Sequence, residues 1–153
     1  MGPEIGEVPI RYRIPFYKDW ILIPIIGLVY VIDQLTKYWV EQELCYYRAI
    51  PKEGPFQLTC TLNTGTAFGL FQDYTSLLIL ASFLGIGVLL VVYQHHPAPG
   101  LLLRTSLGLQ LGGAVGNLTD RLRFGAVTDF VKLGPWPVFN LADACIVVGL
   151  ITL

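Results

Sequence analysis

From Thr75 to Tyr93 the chain runs without a single charged residue. A helix over that run would be about 29 Å long at ~1.5 Å per residue, close to the ~30 Å hydrocarbon core of a bilayer. A helix that is apolar all round must be covered by protein or by lipid. The remaining sequence favours lipid: only 14% of the 153 residues are charged, against about 25% in ordinary soluble domains. Mean hydropathy is +0.59.

Three further segments have the same character. The first, about 20–40, carries Asp33 and Lys37 in its last turns. The next, about 101–121, has Arg104 at its start and Asn117, Asp120 and Arg121 at its end. The last runs from about 140 to 153 and would reach only about 21 Å, so it ends early for a full crossing. The first run, although preceded by Arg11, Arg13 and Lys18, is too long for a cleaved secretory signal and lacks a small-residue cleavage site. The expected fold is an α-helical integral membrane protein with four transmembrane helices, forming one membrane-embedded domain over 1–153. A small β-sheet is expected between helices one and two, in the connection 41–74, where Phe56 to Thr61 has extended character. Lys and Arg occur on both sides, in Arg11, Arg13, Lys18 and Arg104 against Arg48, Lys52, Arg121, Arg123 and Lys132, so charge alone does not orient the chain.

The polar residues gather at helix ends that share one side. Asp33 and Lys37 stand four apart on one helical face, an arrangement suited to an ion pair that ties helix one to the neighbouring sheet. Gly112, Gly113 and Gly116 allow close helix approach. Asn117, Asp120 and Arg121 crowd one sector of helix three, and Asn140 and Asp143 share a face at the start of helix four. Asn140 also suits the N-cap. Three carboxylates, Asp129, Asp143 and Asp120, compete for the two positions of a proton-sharing pair. Asp120 has Arg121 beside it and Arg123 close by, which suits a permanently ionised structural group. Asp129 lies among apolar neighbours that raise a carboxylate pKa. The pair Asp129 and Asp143 is therefore preferred over Asp120 and Asp143.

Other chemistries find little support. Cys45, Cys60 and Cys145 are too few and scattered for a disulfide framework or metal site; Cys45 and Cys60 share one connection, but free thiols are the expected state. His95 and His96 lie in a loop with no third ligand, and no metal or cofactor is expected. The net charge of −1 offers nothing to nucleic acid. A carrier would place polar groups within helix two, which has essentially none between Leu77 and Val92. A non-catalytic lipid-binding scaffold would leave both aspartates dispensable. A presenilin-like peptidase would carry Gly-x-Gly-Asp, which neither aspartate shows.

Five stretches, Asp33-Gln34-Leu35-Thr36-Lys37, Asn63-Thr64-Gly65-Thr66-Ala67-Phe68-Gly69, Gly112 to Arg121, Val127-Thr128-Asp129-Phe130 and Phe139-Asn140-Leu141-Ala142-Asp143, resemble in order the motifs of lipoprotein signal peptidase, signal peptidase II. The resemblance covers most of the chain. It implies an aspartic endopeptidase of the bacterial inner membrane, multi-pass, with its active site near the periplasmic face and a periplasmic sheet that cradles substrate. Such an enzyme cleaves diacylglyceryl-prolipoproteins just before the lipidated cysteine, using a water activated by aspartate. By the same resemblance Asp129 and Asp143 are catalytic, and Asn63, Asn117, Arg121 and Asn140 bind or support substrate. Asp33, Lys37 and Asp120 are structural polar residues. Membrane lipids are expected neighbours, globomycin an inhibitor, and the monomer the working form. The sequence departs from the family at Thr128, often valine there, and in the loop from Asp129 to Asp143, which is shorter than the family's.

Overall fold

The computed structural model describes residues 14–46, 49–65, 75–96 and 98–153. Arg11, Arg13, Arg48 and the Thr66–Gly69 part of the second motif lie outside the described residues. A short 3-10 turn, Phe16–Lys18, precedes α1 (Leu22–Glu43); β1 (Phe56–Asn63), α2 (Thr75–His95), α3 (Leu101–Phe124), β2 (Val127–Leu133) and α4 (Leu141–Ile151) follow. All four expected helices are present. α3 continues past Arg121 to Phe124 because its terminator is Gly125, whose φ of 73° is the left-handed turn that glycine adopts without strain.

α3 is the hub, packing on α1, α2 and α4, while α1 also touches α4. Small residues make this possible. A Cβ on Gly112 would stand 2.7 Å from Val29 of α1, and one on Gly113 would meet the backbone oxygen of Ala142 in α4 at 2.5 Å. One on Gly116 would meet the Asp33 carboxylate at 2.5 Å. The glycine stripe therefore brings the polar face of α1 and the start of α4 against α3 at backbone distance.

The distribution of polarity is inverted relative to a soluble bundle. Asp33, Lys37, Ser106, Gln110, Asn117, Asp120 and Asn140 are buried, whereas Leu28, Leu35, Leu84, Val88 and Leu150 are each more than half exposed. Helices with apolar exteriors and polar, hydrogen-bonded interiors suit a hydrocarbon surrounding, where every polar group must find its partner inside. Of the four, α2 is long and apolar enough to cross a membrane by length and composition alone.

Two expectations are corrected here. The sheet is not contained in the connection between the first two helices. β1 comes from that connection, but its antiparallel partner is β2, from the connection after α3. Among the described residues of its own connection β1 gains only an isolated bridge, Ile50 to Leu58, and Val127–Leu133 supplies the ladder, which also carries Asp129. The free-thiol expectation also fails: Cys45 and Cys60 form a disulfide, with Cα atoms 4.9 Å apart. The end of α1 meets β1 side by side, which spacing along the chain does not reveal. Cys145 remains free.

Candidate active site

Three elements converge at the C-terminal end of α3, and each is fixed by local sequence. Gly125 turns the chain out of α3 into β2, where Asp129 pairs across the sheet with Thr61. After β2 the chain folds back at once. Val131 and Phe139 bridge, the Val131 N–H donating to Phe139 O at 2.8 Å and the Phe139 N–H to Val131 O at 3.0 Å. That return sets Asn140 beside the strand it has just left, so the short loop draws the start of α4 toward Asp129.

Asn140 then joins the two carboxylates. Its amide Nδ2 donates to Asp129 Oδ1 at 2.7 Å. Its Oδ1 accepts the Asp143 N–H at 2.9 Å, and its own N–H donates to Asp143 Oδ2 at 3.2 Å. This reciprocal capping box gives Asn140 the N-cap role that its place before α4 suits. Asp143, in the first turn of α4, faces the positive end of the helix dipole.

The remaining oxygens are held by the other two asparagines. Asn63 of β1 donates to Asp129 Oδ2 at 2.8 Å, and its own oxygen takes the Gly65 N–H at 2.9 Å. Asn117 of α3 donates to Asp143 Oδ1 at 2.8 Å while its oxygen accepts from Lys37 Nζ at 2.9 Å and from Asn140 at 3.1 Å. Asn117 is thus turned inward with its hydrogen-bonding capacity engaged by protein. Arg121 lies in the field of Asp143, Asp129 and Asp120, and its Nε has no hydrogen-bond partner among the described residues.

Beneath the pair sits a buried charge cluster. Lys37 Nζ is 2.8 Å from Asp33 and 2.6 Å from Asp120. Gln34 donates to the other oxygen of Asp120 at 2.9 Å, and Asp33 accepts the Ala142 N–H at 3.0 Å. Lys37 and Asp33 therefore tie α1 to α3 and α4, not to the sheet as expected. The reason for setting Asp120 aside also changes. Its partner is Lys37; Arg121, one residue along the helix, points about 100° away.

Asp129 is 2% exposed. Burial pushes its carboxyl up to about 6; the Asn63 amide pulls it down, the Asp143 charge pushes it up, and Asn140 and Lys37 pull it down. Desolvation wins, so Asp129 holds a proton into the range where ordinary aspartates have lost theirs.

Two residues in this region escape a reading of the sequence alone. Glu41, two residues before the end of α1, accepts the Thr128 hydroxyl at 2.5 Å. Gln34 satisfies Asp120. Glu41 does leave a signal, since Asp33, Lys37 and Glu41 recur at four-residue intervals along one face of α1 and Cys45 continues the spacing just past its end. Among the described residues no group of His, Cys, Asp or Glu is arranged to hold a metal ion.

Comparison with known proteins agrees in sequence and in shape. A family model described as signal peptidase (SPase) II matches residues 25–153. A lipoprotein signal peptidase from Moorella thermoacetica is 47% identical over 127 residues, covering 82% of this chain and 85% of the relative. One from Pelotomaculum thermopropionicum is 43% identical over 129 residues, covering 84% and 85%. A bacterial membrane enzyme solved by the in meso method at 2.3 Å superposes with a TM-score of 0.77 at 25% identity, over 85% of this chain and 82% of that one.

Proposed function

The chain belongs to the signal peptidase II family, as a membrane protease that removes signal peptides from prolipoproteins, and from that premise we propose that Asp129 and Asp143 are its catalytic pair. The observation that carries this reading is Asn140, which hydrogen-bonds both carboxylates at once. A water between them loses a proton to ionised Asp143 and attacks the scissile carbonyl carbon. The carbonyl oxygen takes the proton from Asp129, giving a neutral tetrahedral diol. Collapse returns one diol proton to Asp129 and passes the Asp143 proton to the leaving nitrogen, so the pair ends as it began. No covalent intermediate forms. Asn63, Asn140 and Arg121 lie where a peptide backbone would meet the pair, and Asn117 acts on substrate through Asp143. Asp33, Lys37 and Asp120 are the buried frame.

The whole chain, 1–153, works as one membrane-embedded unit in the bacterial inner membrane, with four crossings and the pair near the periplasmic face. The Cys45–Cys60 disulfide at the same end as the pair supports this orientation, because disulfides persist in oxidising compartments and are rare in the cytosol. The exposed apolar faces of α1 and α2 suit contact with lipid tails, including the diacylglyceryl chains of the substrate. The monomer is the working form, and globomycin is an inhibitor.

Two measurements follow. Incubated with a diacylglyceryl-modified prolipoprotein and its unmodified counterpart, the purified protein should cut only the former, just before the modified cysteine, and globomycin should block the cut. Equal cutting of both substrates would show that the lipid is not read. The pH profile of kcat/KM supplies the other test. The proposed step needs Asp129 protonated, so activity is present below its pKa and lost as pH rises through it. With that carboxyl at about 6, the alkaline limb should lie at pH 6 or above, as a property of the coupled pair. A limb near pH 4, the ordinary carboxylate range, would mean that Asp129 does not carry the proton.

A further inference from the structure

We propose that the end of α1 is a two-point clasp, Cys45–Cys60 to β1 and Glu41–Thr128 to β2, whose task is to position Asn63 against Asp129. The inference rests on Asp129 being catalytic. Asn63 and Asp129 belong to different strands, and among the described residues the sheet has two strands only. A two-stranded ladder is marginal without support, and this one is interrupted by a register shift between Leu58 and Thr61. The amide that holds one oxygen of Asp129 is therefore only as well placed as the sheet itself.

α1 can supply what the ladder lacks. Its lower part is immobilised by the Asp33–Lys37–Asp120 cluster. One turn on, Glu41 takes the buried Thr128 hydroxyl; one turn further, Cys45 is bonded to Cys60. By strand alternation Thr128 points to the opposite face from Asp129, so Glu41 grips the back of the strand whose front carries the carboxylate. Val40 and Leu44 pack between the two grips with Phe130, Cys60 and Leu58. Glu41 and the disulfide touch neither Asp129 nor Asp143. They are positioning groups.

Cys45 is exposed and Cys60 partly so, which leaves the bridge open to a small dithiol. Two successive exchanges break the Sγ–Sγ bond, pass two electrons and two protons to the cysteines and release the reductant as its cyclic disulfide. Chain release at one grip should let β1 shift and lengthen the Asn63–Asp129 contact. Asp129 is faced by Asn63 and Asn140 as donors, by Lys37 of α1 and Arg121 of α3 as cations, and by Asp143 of α4 as an anion. Loss of the Asn63 donor alone favours the protonated form, so the alkaline limb moves to higher pH.

The test uses the full-length protein in detergent with a lipidated prolipoprotein, before and after dithiothreitol, with accessible thiols counted after denaturation. Reduction should raise the count from one to three, the full complement of cysteines. It should lower kcat by about three- to tenfold with KM nearly constant, the scale of a small misplacement at a reacting centre, and shift the alkaline limb upward. Thr128→Val, with the disulfide intact, should shift kcat and the limb in the same directions. Glu41→Gln, which keeps an acceptor for Thr128, should behave as wild type while Glu41→Ala should not. An unchanged kcat and limb with all three thiols titrated overturns the clasp and leaves the catalytic pair untouched. An oxidised Asp129→Asn protein cleaving at the wild-type rate overturns both.

Discussion

Lys37→Met should lower the stability of the detergent-solubilised protein by about 3–5 kcal/mol, the usual cost of breaking a buried ion pair by removing one partner. Lys37 is 3% exposed and Asp33 is fully buried. Methionine fills nearly the same volume, so the loss is electrostatic and not a cavity effect. It leaves two carboxylates, Asp33 and Asp120, without their shared cation, and it deprives the Asn117 oxygen of a charged donor. Denaturant titration of the variant measures the loss directly. Adding Asp33→Asn and Asp120→Asn to Lys37→Met should restore most of it, because the uncompensated charges are then gone. A triple variant no more stable than Lys37→Met would mean that the cluster's contribution is packing and not charge.

Much of this arrangement is legible in the sequence, and the reasons differ from residue to residue. Long apolar runs declare their helices because hydrocarbon imposes a length. The glycines of α3 declare a close approach because no other residue gives up its Cβ. Asn140 and Asp143 are readable as a pair because a helix start fixes their i, i+3 relation. What stays hidden is whatever depends on contacts across the chain. β1 finds its partner in β2, on the far side of two helices in sequence. Cys60 finds Cys45 only because that sheet docks on α1, and Lys37 reaches α3 while Asp33 reaches α4, where a local reading gives the pair the sheet. The charge of its sequence neighbours argues for setting Asp120 aside, but helical geometry turns Arg121 away, Arg123 lies over the Phe124 ring, and Lys37 is the partner. Thr128 stands out in the sequence only as a departure from the family's usual valine; its hydroxyl acquires meaning from Glu41, on an element that sequence distance does not bring near it.

The pair itself admits the most direct test. Asp129→Asn should reduce cleavage of a lipidated prolipoprotein by roughly three to five orders of magnitude, the range seen when one member of a catalytic unit is removed. The fold should survive. The substituted amide can keep its oxygen toward the Asn140 Nδ2, whose orientation the α4 cap fixes, and turn its NH2 toward Asn63, forfeiting one hydrogen bond worth about 1 kcal/mol. Asp143→Asn should be equally inactive. Asp120→Asn, remote from the attacking water and tied to Lys37 and Gln34, should stay within about tenfold of wild type. The decisive measurement is the single-turnover rate of these three variants, each first shown to be folded by a cooperative denaturant transition. Loss in Asp129→Asn and Asp143→Asn with retention in Asp120→Asn is the predicted result; a folded Asp129→Asn protein that cleaves within about tenfold of the wild-type rate would contradict it.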